Sequence, residues 1–199
     1  MKKKIRDVRK TEIIEGFYEL CKKDGLENTS IAKIGKYLGM PPSLIMHYFP
    51  NKRLLILALI DYILKHYQLI YEPLLEKFKD GRKVDSEVLV GRLFSREWNL
   101  LFDDGVFYSC YALIFRDPTI KEEYRKLHLE LRKTLQEILD KDEYLRKADT
   151  AALSEKIFVI IEGAYYYLSM IEDAKEYEEK LNHFKEQAYD LLRLELLPN

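Results

Sequence analysis

The segment from residue 29 to residue 52 constrains the fold of this chain more than any other, and it reads TSIAKIGKYLGMPPSLIMHYFPNK. Thr29 or Ser30 can cap a first helix, because a side-chain oxygen there accepts hydrogen bonds from otherwise unpaired backbone N–H groups. An apolar face follows at helical spacing and consists of Ile31, Ile34 and Leu38. Gly39 can end this helix in the left-handed conformation. The segment therefore predicts a short helix that ends in a tight turn.

A second short helix follows the turn. Pro41 and Pro42 can open it, because the first helical turn makes no intrahelical use of their missing N–H groups. Ile45 and Phe49 are four residues apart and are predicted to face inward. The residues left for the outer face and its edges are Ser43, Leu44, Met46, His47 and Tyr48. Such a pair is typical of a helix-turn-helix reader of the DNA major groove, and an ordinary helical hairpin is the alternative.

The first third of the chain resembles the DNA-binding domain of the TetR family of transcriptional regulators. Ile13 to Leu26 is similar to the first helix of that family, and residues 29–40 are similar to the second. His47 to Leu55 matches the family's aromatic pair, its Phe and the Lys that opens the fourth helix. The chain departs from the family pattern at Pro41 to Ser43, at Met46 and at Pro50.

This resemblance implies a homodimer that binds double-stranded DNA and responds to a small molecule. The resemblance assigns His47, Tyr48 and Lys52 to DNA, as base-edge or phosphate contacts. Their positions at a helix start or on the outer face add Thr29, Ser43 and Leu44 to the residues predicted to contact DNA. The charge distribution agrees, because residues 1–53 carry 12 basic and 6 acidic residues, whereas the whole chain has a net charge of −1. A basic end on an acidic body suits a protein that offers that end to phosphates.

The remaining sequence has helical periodicity throughout. We predict an all-α protein of about nine helices, with a DNA-binding domain at residues 1–50 and a ligand-binding and dimerisation domain at residues 51–199. Pro73 is expected to kink or interrupt the fourth helix. The later helices are predicted at about 86–101, 106–115, 119–139, 150–172 and 177–197.

Other features exclude several classes of protein. The four histidines are scattered and no nucleophile elbow or phosphate-binding loop is present, so we expect neither an enzyme nor a metal or cofactor site. Met1 leads into a charged segment rather than a signal peptide. The longest apolar run, residues 157–171, is shorter than the about 20 residues that span a bilayer. We therefore expect a cytoplasmic protein without a membrane partner. Cys21 and Cys110 are expected to be small buried hydrophobes.

Two apolar stripes in the last two helices predict a dimer interface. The residues proposed for it are Ile161, Leu168, Phe184 and Leu191. The stripes can also face the subunit's own core, and both can hold because these helices carry further apolar residues, among them Val159 and Tyr166.

Aromatic residues predict the effector site. Tyrosine occurs 15 times, and phenolic rings suit an apolar or aromatic ligand with a few polar groups. The residues proposed are Tyr62, Trp98, Phe102, Tyr108, Tyr111, Phe115 and Tyr165; the alternative is that they form core. The predicted function is a homodimeric repressor that a small effector releases from DNA. One alternative is a helical carrier or partner-binding protein without specific DNA binding. Another is a DNA-binding dimer that a protein partner, or no effector, controls.

Overall fold

The computed structural model describes residues 2–79, 86–96 and 102–196, and the side chains of residues 5–66, 86–96 and 102–194. Within these ranges the chain forms helices and no strands, which confirms the all-α prediction. The α-helices described are α1 (Lys2–Asp24), α2 (Ile31–Leu38), α3 (Pro42–Tyr48), α4 (Lys52–Lys79), α5 (Ser86–Leu93), α6 (Asp104–Tyr111), α7 (Pro118–Leu139), α8 (Thr150–Leu168) and α9 (Ala174–Leu196). Two 3₁₀ segments, Ala112–Phe115 and Glu143–Leu145, connect some of them.

Several helix boundaries differ from those predicted. α4 remains helical through Pro73, so Pro73 does not interrupt the helix, whereas a kink there stays a prediction. α6 begins at Asp104, because the Asp103 carboxylate accepts a hydrogen bond from the Val106 N–H at 3.0 Å. α9 begins at Ala174, where the Asp173 carboxylate accepts from the Glu176 N–H at 2.8 Å. Each shift reflects an aspartate cap that apolar periodicity alone does not reveal.

The turn between α2 and α3 follows directly from its residues. Ser30 caps α2, and its hydroxyl oxygen accepts from the Lys33 N–H at 3.2 Å. Gly39 ends the helix with a φ of 63°, a conformation that costs glycine little. Gly35 allows close packing of the turn, since a Cβ there would lie 2.7 Å from the Met40 carbonyl oxygen. Pro42 stands in the first turn of α3, as the sequence predicts.

The chain forms two compact units. The first comprises Met1–Tyr67 and Phe102–Tyr124, so it joins the helix-turn-helix to α6 and the start of α7. Its core includes side chains with no exposed surface, namely Ile13, Phe17, Ile34, Ile45, Leu55 and Leu59. Burial of each such side chain stabilises the fold by about 1.5–3 kcal/mol. The functional boundary after residue 50 stays a prediction.

Cys21 and Cys110 lie in this unit and are buried free thiols. Burial raises the pKa of Cys21 to about 11 and that of Cys110 to about 12. Both thiols therefore stay protonated near neutral pH and pack as small apolar groups, as the sequence predicts.

The second unit comprises Gln68–Leu101 and Arg125–Asn199. Within it α9 packs along α8 and against α5. Asp142 fastens the start of α5, because its buried carboxylate accepts from the Ser86 hydroxyl at 2.5 Å and from the Ser86 N–H at 3.3 Å. Among the residues that could be assessed, no helix is both long and apolar enough to cross a membrane.

Candidate DNA interface and ligand cavity

The short helix α3 presents an accessible outer face. Ile45 is completely buried and Phe49 is 5% exposed, so these two residues fix the helix to the core as predicted. The exposed residues of α3 are Pro42, Ser43, Leu44, Met46 and His47. Tyr48 is half-buried and makes an edge-to-face contact with the His47 ring at a centroid distance of 5.3 Å. Four of the residues that the sequence assigned to DNA therefore lie together on one short helix.

Thr29 and Lys52 occupy different surroundings. Thr29 is completely buried, and its hydroxyl donates to the Gly25 carbonyl at 2.8 Å, so this side chain is not accessible to DNA. The neighbouring cap residue Ser30 is exposed. Lys52 is half-buried, and its ammonium donates to the Glu27 carbonyl oxygen at 2.9 Å. This bond holds Lys52 beside the loop that precedes α2.

Two further cations near the helix-turn-helix form ion pairs. Lys33 pairs with Asp24 at 2.8 Å. Arg53 reaches Asp117 through Nε at 2.7 Å and through a terminal nitrogen at 3.1 Å. The Arg53 guanidinium holds the pKa of Asp117 below its usual value. Sequence reasoning did not single out this pair, because its members are 64 residues apart.

Helix α2, the first helix of the helix-turn-helix, adds exposed groups that the sequence analysis missed. Lys36 and Tyr37 of α2 are both exposed, and Tyr37 keeps 56% of its surface accessible. Their exposure could have been predicted, since both residues lie outside the apolar stripe of Ile31, Ile34 and Leu38.

The aromatic residues proposed as an effector site occupy different environments. Phe102 is 8% exposed and contacts the rings of Tyr18, Tyr62 and His66 at centroid distances of 5.7, 6.1 and 5.6 Å. Phe115, in contrast, is 82% exposed. Trp98 lies outside the described residues. The packing of Phe102 corresponds to the core alternative, whereas ligand contact by the set stays a prediction.

Tyr108 and Tyr111 are half-buried in α6. The Tyr111 ring stacks on Phe107 at 6.3 Å and meets Tyr124 edge to face at 5.1 Å. Tyr124 is 2% exposed, so this group extends the core of the first unit toward its surface.

The hydroxyl group of Tyr165 in α8 forms hydrogen bonds with backbone groups at the end of α5 in the second unit. Its side chain is 7% exposed. The phenolic hydroxyl lies 2.7 Å from the Leu93 carbonyl oxygen and 3.0 Å from that of Ser95, and it accepts from the Ser95 N–H at 3.1 Å. These contacts satisfy backbone groups at the end of α5. The Tyr165 hydroxyl therefore joins α8 to the end of α5, and ligand contact by Tyr165 stays a prediction.

A narrow apolar cavity lies within the second unit, between α5, α7 and α8. Its lining consists of Leu89, Leu93, Leu131, Thr134, Leu135, Ile138, Phe158, Ile161 and Glu162. Its volume is about 20 Å³, which is room for about one water molecule. None of these residues was predicted for the effector site, because Leu and Ile in amphipathic helices give the same signal for core and for cavity.

Glu162 gives this cavity a charged edge. Its side chain remains 42% exposed at the opening, and the Nε2 atom of His128 lies 3.9 Å from its carboxylate. Its carboxyl group is nevertheless desolvated by the surrounding side chains, and this desolvation raises the pKa of Glu162 to about 7. Burial also lowers the pKa of His128, with a further contribution from the nearby Arg132 charge. Glu162 was recognisable as the one charged residue within the apolar run 157–171.

The residues predicted for the dimer interface divide into two pairs. Ile161 and Leu168 are 6% and 1% exposed, so they face the subunit's own core. Phe184 and Leu191 are half-buried. The large apolar residues that α8, α9 and the turn between them expose are Val159, Tyr166, Tyr167, Met170 and Leu194. The predicted stripe on α8 therefore faces the core of the subunit, and the exposed apolar residues form the surface that a partner could reach.

Family models now identify the class of protein. Residues 13–59 match the model for bacterial regulatory proteins of the tetR family, and residues 83–194 match a tetracyclin repressor-like C-terminal domain. This chain therefore belongs to the TetR family of transcription regulators, with a helix-turn-helix DNA-binding domain and a ligand-binding C-terminal domain. A comparison with curated protein sequences finds no match.

Solved structures show the same fold at low identity. A TetR transcription regulator from Haloarcula marismortui is 16% identical, with a TM-score of 0.74 over 93% of this chain and 96% of the other. A transcriptional regulator from Pseudomonas aeruginosa is 18% identical, with a TM-score of 0.72 over 94% and 90%. A regulator from Saccharomonospora viridis in complex with choline is 18% identical, with a TM-score of 0.68 over 94% and 96%.

Proposed function

We propose that this protein is a homodimeric transcriptional repressor that binds double-stranded DNA and leaves it when a small apolar or aromatic effector binds. The observation that carries this proposal is α3, a short helix with an exposed outer face that two buried residues fix to a helical scaffold. We further propose a cytoplasmic location, where such a regulator meets its DNA.

The outer face of α3 supplies the proposed base contacts. Ser43 and His47 can exchange hydrogen bonds with base edges, and Leu44 can contact thymine methyl groups. Tyr48 and Lys52 are assigned to phosphates. The Lys52 ammonium has three donors, so it can contact a phosphate while it retains the Glu27 carbonyl. Ser30 replaces the buried Thr29 as the phosphate contact at the start of α2.

A dimer is supported by the exposed apolar residues of α8, α9 and the turn between them. Val159, Met170 and Leu194 are 62%, 61% and 65% exposed, and such a surface is favourably covered by a partner. A second copy of the same chain is the partner that the proposed function requires, since two recognition helices must occupy half-sites about 34–36 Å apart.

The cavity beside Glu162 is the site that we propose for the effector. Its walls are apolar, and ligand pockets combine such walls with a few polar groups. The present volume admits no drug-sized molecule, so binding must widen it. The regulator from Saccharomonospora viridis holds choline, and an apolar or aromatic effector that also carries a cationic group would suit the Glu162 carboxylate here. A coupling of about 1–3 kcal/mol between effector and DNA is enough for release.

DNA binding to genomic fragments tests the proposal. We expect the wild-type protein to select a small subset of fragments by fluorescence anisotropy. Leu44→Glu should lose at least about 10-fold in specific affinity, because it places a carboxylate against the groove. Tyr144→Glu is the matched control, since Tyr144 is also exposed but lies in the second unit. Equal or absent binding to all fragments would instead favour a helical carrier or partner-binding protein.

A further inference from the structure

The first three turns of α1 carry a net positive charge, and they precede the part of the chain that matches the family model. α1 begins at Lys2, whereas the match to the DNA-binding domain begins at Ile13. Residues 2–12 hold six basic and two acidic residues. Residues 5–9 are all exposed, including Ile5 at 56% and Val8 at 59%, so this stretch is not held against the subunit by apolar packing.

One basic residue of this stretch lies close to the end of the recognition helix. Arg6 and Lys10 are four residues apart and therefore share one face of α1. The Lys10 ammonium lies 5.9 Å from the centroid of the Phe49 ring, and Phe49 directly follows α3. Lys10 therefore lies beside the end of the recognition helix, and Arg6 lies one turn before Lys10 on the same face of α1.

The two acidic residues of this stretch, Asp7 and Glu12, do not neutralise its six basic residues. Glu12 pairs with Arg9 at 2.6 Å. Asp7 is exposed, and its backbone carbonyl accepts from the Thr11 hydroxyl. Within the part of the chain whose side chains are described, Arg6 and Lys10 have no ion pair.

The recognition helix α3 brings no lysine or arginine of its own to the DNA. Lys33 and Arg53 are engaged with Asp24 and Asp117, and Lys52 with a backbone carbonyl. Apart from Lys52, the helix-turn-helix therefore offers the exposed Lys36 of α2, and further cations would raise affinity because DNA binding depends strongly on neutralising phosphates.

We propose that the N-terminal turns of α1 form a second DNA contact, a phosphate-binding ridge defined by Arg6 and Lys10. The ridge contacts the sugar-phosphate backbone next to the half-site that α3 occupies. It raises affinity for every DNA sequence without selecting bases, because phosphates carry no sequence information. The proposal rests on the proposed DNA binding and assigns a further element to it.

The salt dependence of DNA binding tests the ridge. We compare Arg6→Gln/Lys10→Gln with wild type on one selected fragment and on a random duplex, between about 50 and 200 mM salt. Two contacts per subunit make four per dimer, so the slope of log K against log salt should fall in magnitude by about 3–4. Affinity should fall on both duplexes by a similar factor. Lys22→Gln/Lys23→Gln, at the other end of α1, is the control and should leave the slope unchanged.

The outcomes separate this inference from the proposed function. If the double variant is helical by circular dichroism and retains the wild-type slope, the ridge is refuted while specific DNA binding stands. If the variant loses its preference for the selected fragment, Arg6 or Lys10 reads sequence and the phosphate assignment is wrong. If the wild-type protein does not bind DNA, the proposed function itself fails.

Discussion

Replacing Tyr165 with phenylalanine removes one oxygen atom and keeps the buried ring. That oxygen lies within hydrogen-bond distance of the Leu93 carbonyl, the Ser95 carbonyl and the Ser95 N–H. The contact to Leu93 is buried, so water cannot readily replace it, whereas the contacts to Ser95 are partly buried. A buried polar group without its partner costs about 1–3 kcal/mol, and we expect the free energy of unfolding to fall by that amount.

Urea unfolding followed by circular dichroism measures this loss. For a protein of about this size, 1 kcal/mol corresponds to roughly 2–4 °C in melting temperature, which gives an independent reading. Tyr144→Phe is the control, because Tyr144 is 75% exposed and its loss should stay within about 0.5 kcal/mol. If Tyr165→Phe is as stable as wild type, the hydroxyl does not stabilise the end of α5, and this reasoning is refuted.

Three further predictions address other parts of the molecule. Ser30→Ala should lower the stability of the helix-turn-helix by about 1 kcal/mol in thermal unfolding, because it removes the cap of α2. Val159→Glu should give folded monomers by light scattering, whereas Leu168→Glu should unfold the second unit, since Leu168 is 1% exposed. Glu162 should make stability fall as pH rises from about 4.5 to about 7, because its raised pKa means that the native state holds the proton more tightly than the unfolded chain. The melting temperature of Glu162→Gln should lack this fall with pH. If the variant and the wild type show the same pH dependence, the pKa of Glu162 is not its source.

The helix-turn-helix was predictable because its signals are local. Gly39, Pro42, Ile45 and Phe49 each act within one or two helical turns, and the structure places all four as expected. The choice between Thr29 and Ser30 was not predictable, since both can cap a helix. It depends on the Gly25 carbonyl, which accepts the Thr29 hydroxyl and directs that side chain inward.

The candidate sites of the second unit were harder to predict because apolar residues do not reveal what covers them. Ile161 and Leu168 form a helical stripe, and the stripe proved to face the core of the subunit. The ring of Tyr165 gave no sign that its hydroxyl would meet α5, some 70 residues earlier. The cavity beside Glu162 depends on small differences in packing between three helices, which periodicity cannot resolve.

Footprinting of the protein on a selected genomic fragment tests the central claim most directly. The account predicts a stable complex of two subunits with one duplex, and protection of two half-sites with inverted symmetry whose centres are about one helical turn, or a multiple of it, apart. Leu44→Glu should abolish this pattern, and Tyr144→Glu should preserve it. A monomer that protects a single site, or a dimer that protects no defined sequence, would contradict the account.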